Sequence, residues 1–420
     1  MKPRLQKLLD LFQVAVSAAD PQQRIPPVLP EPPKGKTVVV AAGKAAASMA
    51  RAVEQHWHGP LYGVAVTRYG HAVACERIEV LEAAHPVPDQ GGANAARALL
   101  DAVQGLNEDD LVLCLMSGGG SALLTLPAEG ISLAAKQDIN RKLLASGARI
   151  SEMNTVRKHL SAIKGGRLAQ AAVPAKVLTI GISDVPGDDP SVIASGPTVP
   201  DETTRRDALD VLERYRIEIP DEVRAHLADP LSETPKPGAA CFETVRFVMA
   251  AKPADMLEAV VEQGRLWGYE VISLGADIEG EARIVGAQHA RIALEAADRR
   301  REGDRPILIV SGGETTVTVK RPGGRGGRNL EYLFSLGISL HGHESIHALA
   351  CDTDGIDGSE DNAGGLLEPD TLARAHTAGV DPAFALACND AYAVFKSSGN
   401  LVVSGPTLTN VNDIRLILIC

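Results

Sequence analysis

Aromatic residues make up only 3% of the 420-residue chain, leaving little material for stacking nucleic-acid bases. Cationic excess is missing too: the net charge is −11 and the isoelectric point is near 5.5. Nucleic acid and anionic membrane surfaces need a broad basic face, so neither is expected as a partner. No apolar run reaches the roughly 18 residues that a membrane span requires. The six cysteines, Cys75, Cys114, Cys241, Cys351, Cys388 and Cys420, show no C-x-x-C spacing. Such scattered thiols suit a reducing compartment, and a soluble, cytoplasmic protein is expected. Common fingerprints are absent as well. Without G-x-G-x-x-G a dinucleotide site is disfavoured, and without G-x-S-x-G there is no nucleophile elbow. Gly35-Lys36-Thr37 copies the tail of a phosphate-binding P-loop, but Pro30 stands where its first glycine belongs and the stretch precedes a strand.

What is present is a core: 45% of residues are apolar, and a chain of this length divides into two or three domains. Short apolar runs at 38–42, 64–67, 78–81, 111–116 and 177–182 read as strands, followed by 245–250, 270–274, 307–310, 346–350, 401–403 and 414–419. Helix-period segments lie between them, at 93–103, 133–148, 254–267 and 282–300 among others. Continuous apolar strands alternating with helices predict an α/β architecture whose parallel sheet is covered on both faces, with ligands at the strand carboxyl ends. Leu5, Leu8, Leu9, Phe12 and Val16 recur at helical spacing, so the chain opens on an amphipathic docking helix rather than a secretory signal. The proline-rich stretch 230–238 marks the expected boundary between domains 1–237 and 238–420, and 21–33 forms a second irregular connector.

Several loops can receive an anion. Gly43-Lys44 sits where the first strand meets its helix, and Ser117-Gly118-Gly119-Gly120-Ser121 follows a buried strand. "SGPT" occurs at 195–198 and 404–407, both turns whose amides can face an anion. In the basic run 154–167, Asn154, Arg157, Lys158 and Ser161 fall at offsets of three and four, on a common helix side. Acidic residues end two strands, Asp184, Asp188 and Asp189 after the fifth, and Asp352, Asp354 and Asp357 after 346–350. They are placed to hold Mg²⁺ or accept a proton. In "VKRPGGRGGRNLE" (319–331), Arg325 lies between two glycine pairs, flanked by Arg321 and Arg328. Anion cradles, acidic clusters and arginines without a covalent nucleophile fit phosphoryl transfer, where catalysis is positioning plus charge stabilisation.

The chain resembles the class II glycerate kinases, the glycerate 2-kinase family with a C-terminal MOFRL domain. The resemblance rests on "AAGKAA" (41–46), "HPVPD" (85–89), "MSGGGSALL" (116–124), "NTVRKHLSAIKGGRLA" (154–169) and "ISDVPGDDPSVIASGPTVPD" (182–201). It continues through "SGGETTV" (311–317), "GGRGGRNLE" (323–331), "DTDGIDGSEDNAGG" (352–365) and "SGPTLTNVND" (404–413). It implies two three-layer α/β/α domains, the first Rossmann-like with a mostly parallel sheet, a MOFRL region at about 305–415, and an active site in the interdomain cleft. It also implies ATP- and Mg²⁺-dependent phosphorylation of D-glycerate at the 2-hydroxyl. Carried over by position, Lys44, Arg325 and Asp184 are catalytic. Ser117 to Ser121, Asn154 and Lys158 hold nucleotide, and Lys44, Arg325, Arg328 and Gly324 hold substrate. Asp188 and Asp354 are the metal ligands, the order among the aspartates being open. A hydroxypyruvate reductase using NAD(P)H is the alternative activity that travels with this family. A homodimer is left open.

Overall fold

A computed structural model of the chain describes residues 2–319 and 323–420. The strands are β1 (Thr37–Ala42), β2 (Leu61–Arg68), β3 (Ile78–Ala83), β4 (Leu111–Ser117), β5 (Lys176–Ile182), β6 (Val245–Ala251) and β7 (Glu270–Ser273). They continue as β8 (Gly280–Glu281), β9 (Ile307–Gly313), β10 (Thr315–Thr316), β11 (Ile346–Asp352), β12 (Gly364–Leu367), β13 (Leu401–Val402) and β14 (Asp413–Ile419). Every residue of β1 and β4 is buried. Successive strand side chains point to opposite faces, so both faces of this sheet are covered. Its order is β3-β2-β1-β4-β5-β6, with β3, β2, β1, β4 and β5 parallel at each step. Val38, Val40 and Ala42 pack with Ala95, Ala96 and Leu99 of the helix Gln90–Ala102 to form the core on one side.

The second sheet runs β13-β12-β11-β14-β9-β7. Here β14 lies antiparallel to both β11 and β9, and only β9 and β7 pair in parallel. The mostly parallel sheet expected of the first domain is thus found there, and the second sheet is mainly antiparallel. Continuous apolar runs report burial of both faces, and β9, β11 and β14, buried at every position, have that burial without sharing a direction. β12 escaped sequence reading because it starts with two glycines. A Cβ on Gly364 would fall 1.9 Å from the Ala350 carbonyl oxygen on β11, so the pairing itself demands glycine.

Contacts divide the chain into two compact units, Pro21–Ala250 and Met1–Asp20 with Ala251–Cys420. This corrects the division at 237/238. β6 lies beyond the proline-rich stretch yet forms the edge of the first sheet. The opening helix Pro3–Ser17 buries Leu5, Leu8, Leu11, Phe12 and Ala15 and packs with the helix Pro253–Leu266 of the second unit.

Candidate functional site

The strand order reverses its direction of growth between β1 and β4, and the crevice at their carboxyl ends is where doubly wound sheets take ligands. Gly43 and Lys44 leave β1 there, and Ser117 to Gly120 leave β4. Gly43 adopts φ 136°, and a Cβ on it would fall 2.1 Å from Ser117 Oγ; only glycine fits. The Lys44 amide donates to the Gly118 carbonyl (2.8 Å), the Ala45 amide to Ser117 Oγ (3.1 Å), and Thr67 Oγ1 to the Lys44 carbonyl (3.3 Å). Lys44 is thus held by its backbone, with a half-buried side chain. Gly119, at φ 79°, leaves room for the Lys44 stem and the His85 ring, each 3.1 Å from where its Cβ would be.

The Ser117–Ser121 segment divides its roles. Ser117 is fully buried, and its hydroxyl and the Gly118 carbonyl fasten the Lys44 turn. Gly120 packs on Ala194, and Ser121 Oγ lies 2.8 Å from Ser195 Oγ. The first SGPT turn spends its amides internally, Ser195 on the Val192 carbonyl and Gly196 on the Ile193 carbonyl. In the second, the Thr407 amide binds the Asp354 carbonyl. The first turn thus has two of its amides satisfied within the protein, against its reading as an anion cradle, and the second ties its Thr407 amide to the Asp354 loop.

A cavity of about 220 Å³ opens beside this loop, lined in part by Gly119, Ser121, Lys136, Asn140, Arg157 and Lys164. In the helix Ile150–His159, Arg157 Nε donates to Asn140 Oδ1 (2.7 Å) and its NH1 to Asn154 Oδ1 (3.3 Å). Lys158 pairs instead with buried Asp201 at 3.4 Å. Consecutive helical residues are separated by 100°, so Arg157 reaches the cavity while Lys158 serves an internal ion pair. Asn154 and Arg157 share a side as expected, whereas Lys158, expected with them to hold nucleotide, is paired with Asp201 instead. Sequence reading missed Lys136 and gave Lys164 no role beyond membership of the basic run 154–167. Lys136 Nζ donates to the Leu126 carbonyl (3.0 Å) and Lys164 Nζ to that of Ser121. Burial, with the Arg157 charge adding, lowers the Lys164 ammonium to about 7. Burial, then Lys164 and Arg167, pushes Lys136 well below the usual lysine range. A signal existed: Lys136 shares the buried register of its helix with Ile139 and Leu143.

Among the acidic residues, Asp184 is half-buried just past β5. Asp188 has φ 54°, and its Oδ1 is shielded from solvent yet accepts no hydrogen bond among the described residues. An orphaned carboxylate oxygen of this kind suits a cation. Asp354 is 1% exposed, and its Oδ1 accepts the Ile356 amide at 2.8 Å. No group of three or more His, Cys, Asp or Glu residues is arranged to hold a metal among the described residues. Asp357 serves structure, accepting the amides of Asn329 and Leu330 at 3.0 Å each and so capping the helix Arg328–Leu340. Burial raises its carboxyl to about 6.

The glycines of the 323–327 loop answer to the protein itself. A Cβ on Gly324 would fall 1.9 Å from the Cys388 carbonyl oxygen, and one on Gly327 2.1 Å from Asp357 Oδ1. The Arg325 carbonyl accepts from the Tyr392 amide (3.0 Å) and its amide donates to Asp390 (3.3 Å). Its side chain is half exposed, 5.0 Å from the Tyr392 ring centroid and 4.0 Å from Glu360. Arg328 is committed: Nε binds Asp413 at 2.8 Å, NH2 binds Asp352 and NH1 binds Glu314, each at 2.8 Å. That pairing makes Arg328, expected at the substrate, an anchor of its helix. Gly324 and Arg328 line a second cavity of about 250 Å³. Arg321 lies outside the described residues.

A family model described as a domain of unknown function, DUF4147, matches residues 7–228, and the MOFRL family model matches residues 307–413. The chain is 40% identical over 418 residues to the D-glycerate 2-kinase of Thermotoga maritima, covering 99% of this chain and 98% of that protein. An Agrobacterium vitis protein provisionally named hydroxypyruvate reductase is 54% identical over 416 residues, covering 99% of this chain and 94% of the other. The crystal structure of a Thermotoga maritima glycerate kinase matches with a TM-score of 0.88 and 39% identity, covering 99% of this chain and 100% of that one.

Proposed function

The chain belongs to the class II glycerate kinase family, and on that premise we propose that it transfers the γ-phosphoryl group of ATP to the 2-hydroxyl of D-glycerate. The observation that carries this reading is Lys44, pinned by its backbone at the switch point between β1 and β4. A lysine rooted there by its backbone brings its ammonium to the crevice with little backbone reorganisation. Arg325, half exposed on a loop fastened to Tyr392 and Asp390, is the second cation, suited to the oxygens of the transferred group. Asp184 takes the hydroxyl proton as the 2-oxygen bonds to the γ-phosphorus and the bond to the β,γ-bridging oxygen breaks, releasing ADP. Asp188, whose shielded Oδ1 accepts no hydrogen bond among the described residues, would hold Mg²⁺, which when bound would supply positive charge against the nucleotide phosphates.

The reductase name of the 54% identical relative supplies the competing reading. Hydride transfer needs a nicotinamide site, and the sequence has no G-x-G-x-x-G fingerprint. One paired assay separates the two: D-glycerate with MgATP followed for ADP, beside hydroxypyruvate with NADH or NADPH. ADP release without nicotinamide oxidation is expected; nicotinamide oxidation alone would replace the kinase with the reductase.

A further inference from the structure

Lys136, Arg157 and Lys164 converge on one cavity inside the unit Pro21–Ala250, and none of its lining residues is a carboxylate. The two lysines are 7% and 2% exposed. Desolvating three basic groups together without a counter-ion is unfavourable, so burial holds the two lysines toward their neutral forms, and backbone or amide oxygens satisfy them only in part. An anion entering the cavity would restore their charge and pair with it. Much of the remaining wall is apolar, from Ile139, Leu143, Val156 and Leu160, so the anion must also carry a body that prefers an apolar surface. Polar amides of Gln137 and Asn140 border that wall. Gly119 and Ser121 belong to the same lining, and Gly119 touches the Lys44 stem. The cavity therefore adjoins the switch point where Lys44 is held.

We propose that this cavity is the nucleoside triphosphate site, with the base against Ile139, Leu143, Val156 and Leu160 and the phosphates running past Arg157, Lys164 and Gly119 toward Lys44. Small D-glycerate has no body to cover that wall, whereas a purine nucleotide has both parts. The inference rests on the kinase reading and moves nucleotide recognition from Lys158 to Lys136, Arg157 and Lys164. Burial and Arg157 hold Lys164 near 7 in the protein alone, and a bound polyanion would recharge it.

Calorimetric titration of MgADP into the full-length protein, without glycerate, reads the site apart from turnover. Lys164→Met and Arg157→Met should each weaken binding about tenfold or more, the loss of one charge-assisted contact. Gln137→Trp, at a half-buried rim position, should block the cavity without disturbing the core. At pH 8 wild-type binding should take up protons, read from the dependence of the heat on buffer, and Lys164→Met should take up fewer. Turnover intact with MgADP affinity unchanged in all three variants would overturn the pocket and leave the kinase standing. Proton uptake on adding D-glycerate alone, and none with MgADP, would give the cavity to the carboxylate substrate and equally overturn it. Absence of both MgADP binding and ADP formation would remove the pocket and the kinase together.

Discussion

At the scale of the residue, Gly43 and Lys44 show how close packing creates a site. Gly43→Ala places a methyl group against Ser117 Oγ at a left-handed φ. It should cost at least about 2 kcal/mol, against about 1 for Gly70→Ala, where φ is 78° and nothing lies within 4 Å; urea midpoints of the two variants test the order. Lys44→Ala and Arg325→Ala should lower turnover while leaving those midpoints near wild type. A loss on the order of 10³-fold or more is expected for Arg325 if it meets the transferred group. Lys164 makes stability pH-dependent. Its folded pKa, about 7, lies below the unfolded 10.5, so between those values the unfolded chain binds more protons and wild-type stability rises with pH. The advantage of Lys164→Met over wild type should therefore be full below pH 7 and shrink by about 1.4 kcal/mol per pH unit between pH 7 and pH 10, as paired unfolding curves would show.

At the scale of the element, strands and loops differ in what the sequence discloses. The runs at 38–42 and 111–116 foretold β1 and β4 because burial on both faces selects apolar residues at every position. Strand direction in the second sheet was not legible, since β14 and β9 are equally apolar whichever way they pair. The Gly-Arg loop misled in an instructive way: Gly324 and Gly327 are required by the Cys388 carbonyl and the Asp357 carboxylate, partners far away in sequence. Lys158 beside Arg157 misled for a related reason, because Asp201 was invisible until the chain folded. Lys44 was legible because strand, glycine and lysine are contiguous. Asp357, read as part of an acidic cluster, instead caps a helix from another loop. Asp357→Ala leaves two buried amides unpaired and should cost about 2 kcal/mol or more, measured as a shift in the urea midpoint.

At the scale of the whole molecule, the chain begins in one unit, builds the other, and returns. The two tryptophans of the sequence, Trp57 and Trp267, fall in different units, and Lys7 of the opening helix lies 3.9 Å from the Trp267 ring centroid. Phe12, fully buried, should when changed to alanine lower the transition reported by Trp267 by about 3 kcal/mol or more and shift that of Trp57 less. A larger shift at Trp57 than at Trp267 would place the opening helix with the other unit. The oxygen proposed to receive phosphate is that of the 2-hydroxyl. Phosphorus NMR of D-glycerate incubated with MgATP and the protein should show 2-phosphoglycerate growing as ADP grows, and 3-phosphoglycerate as the product, or ATP left unchanged, would contradict it.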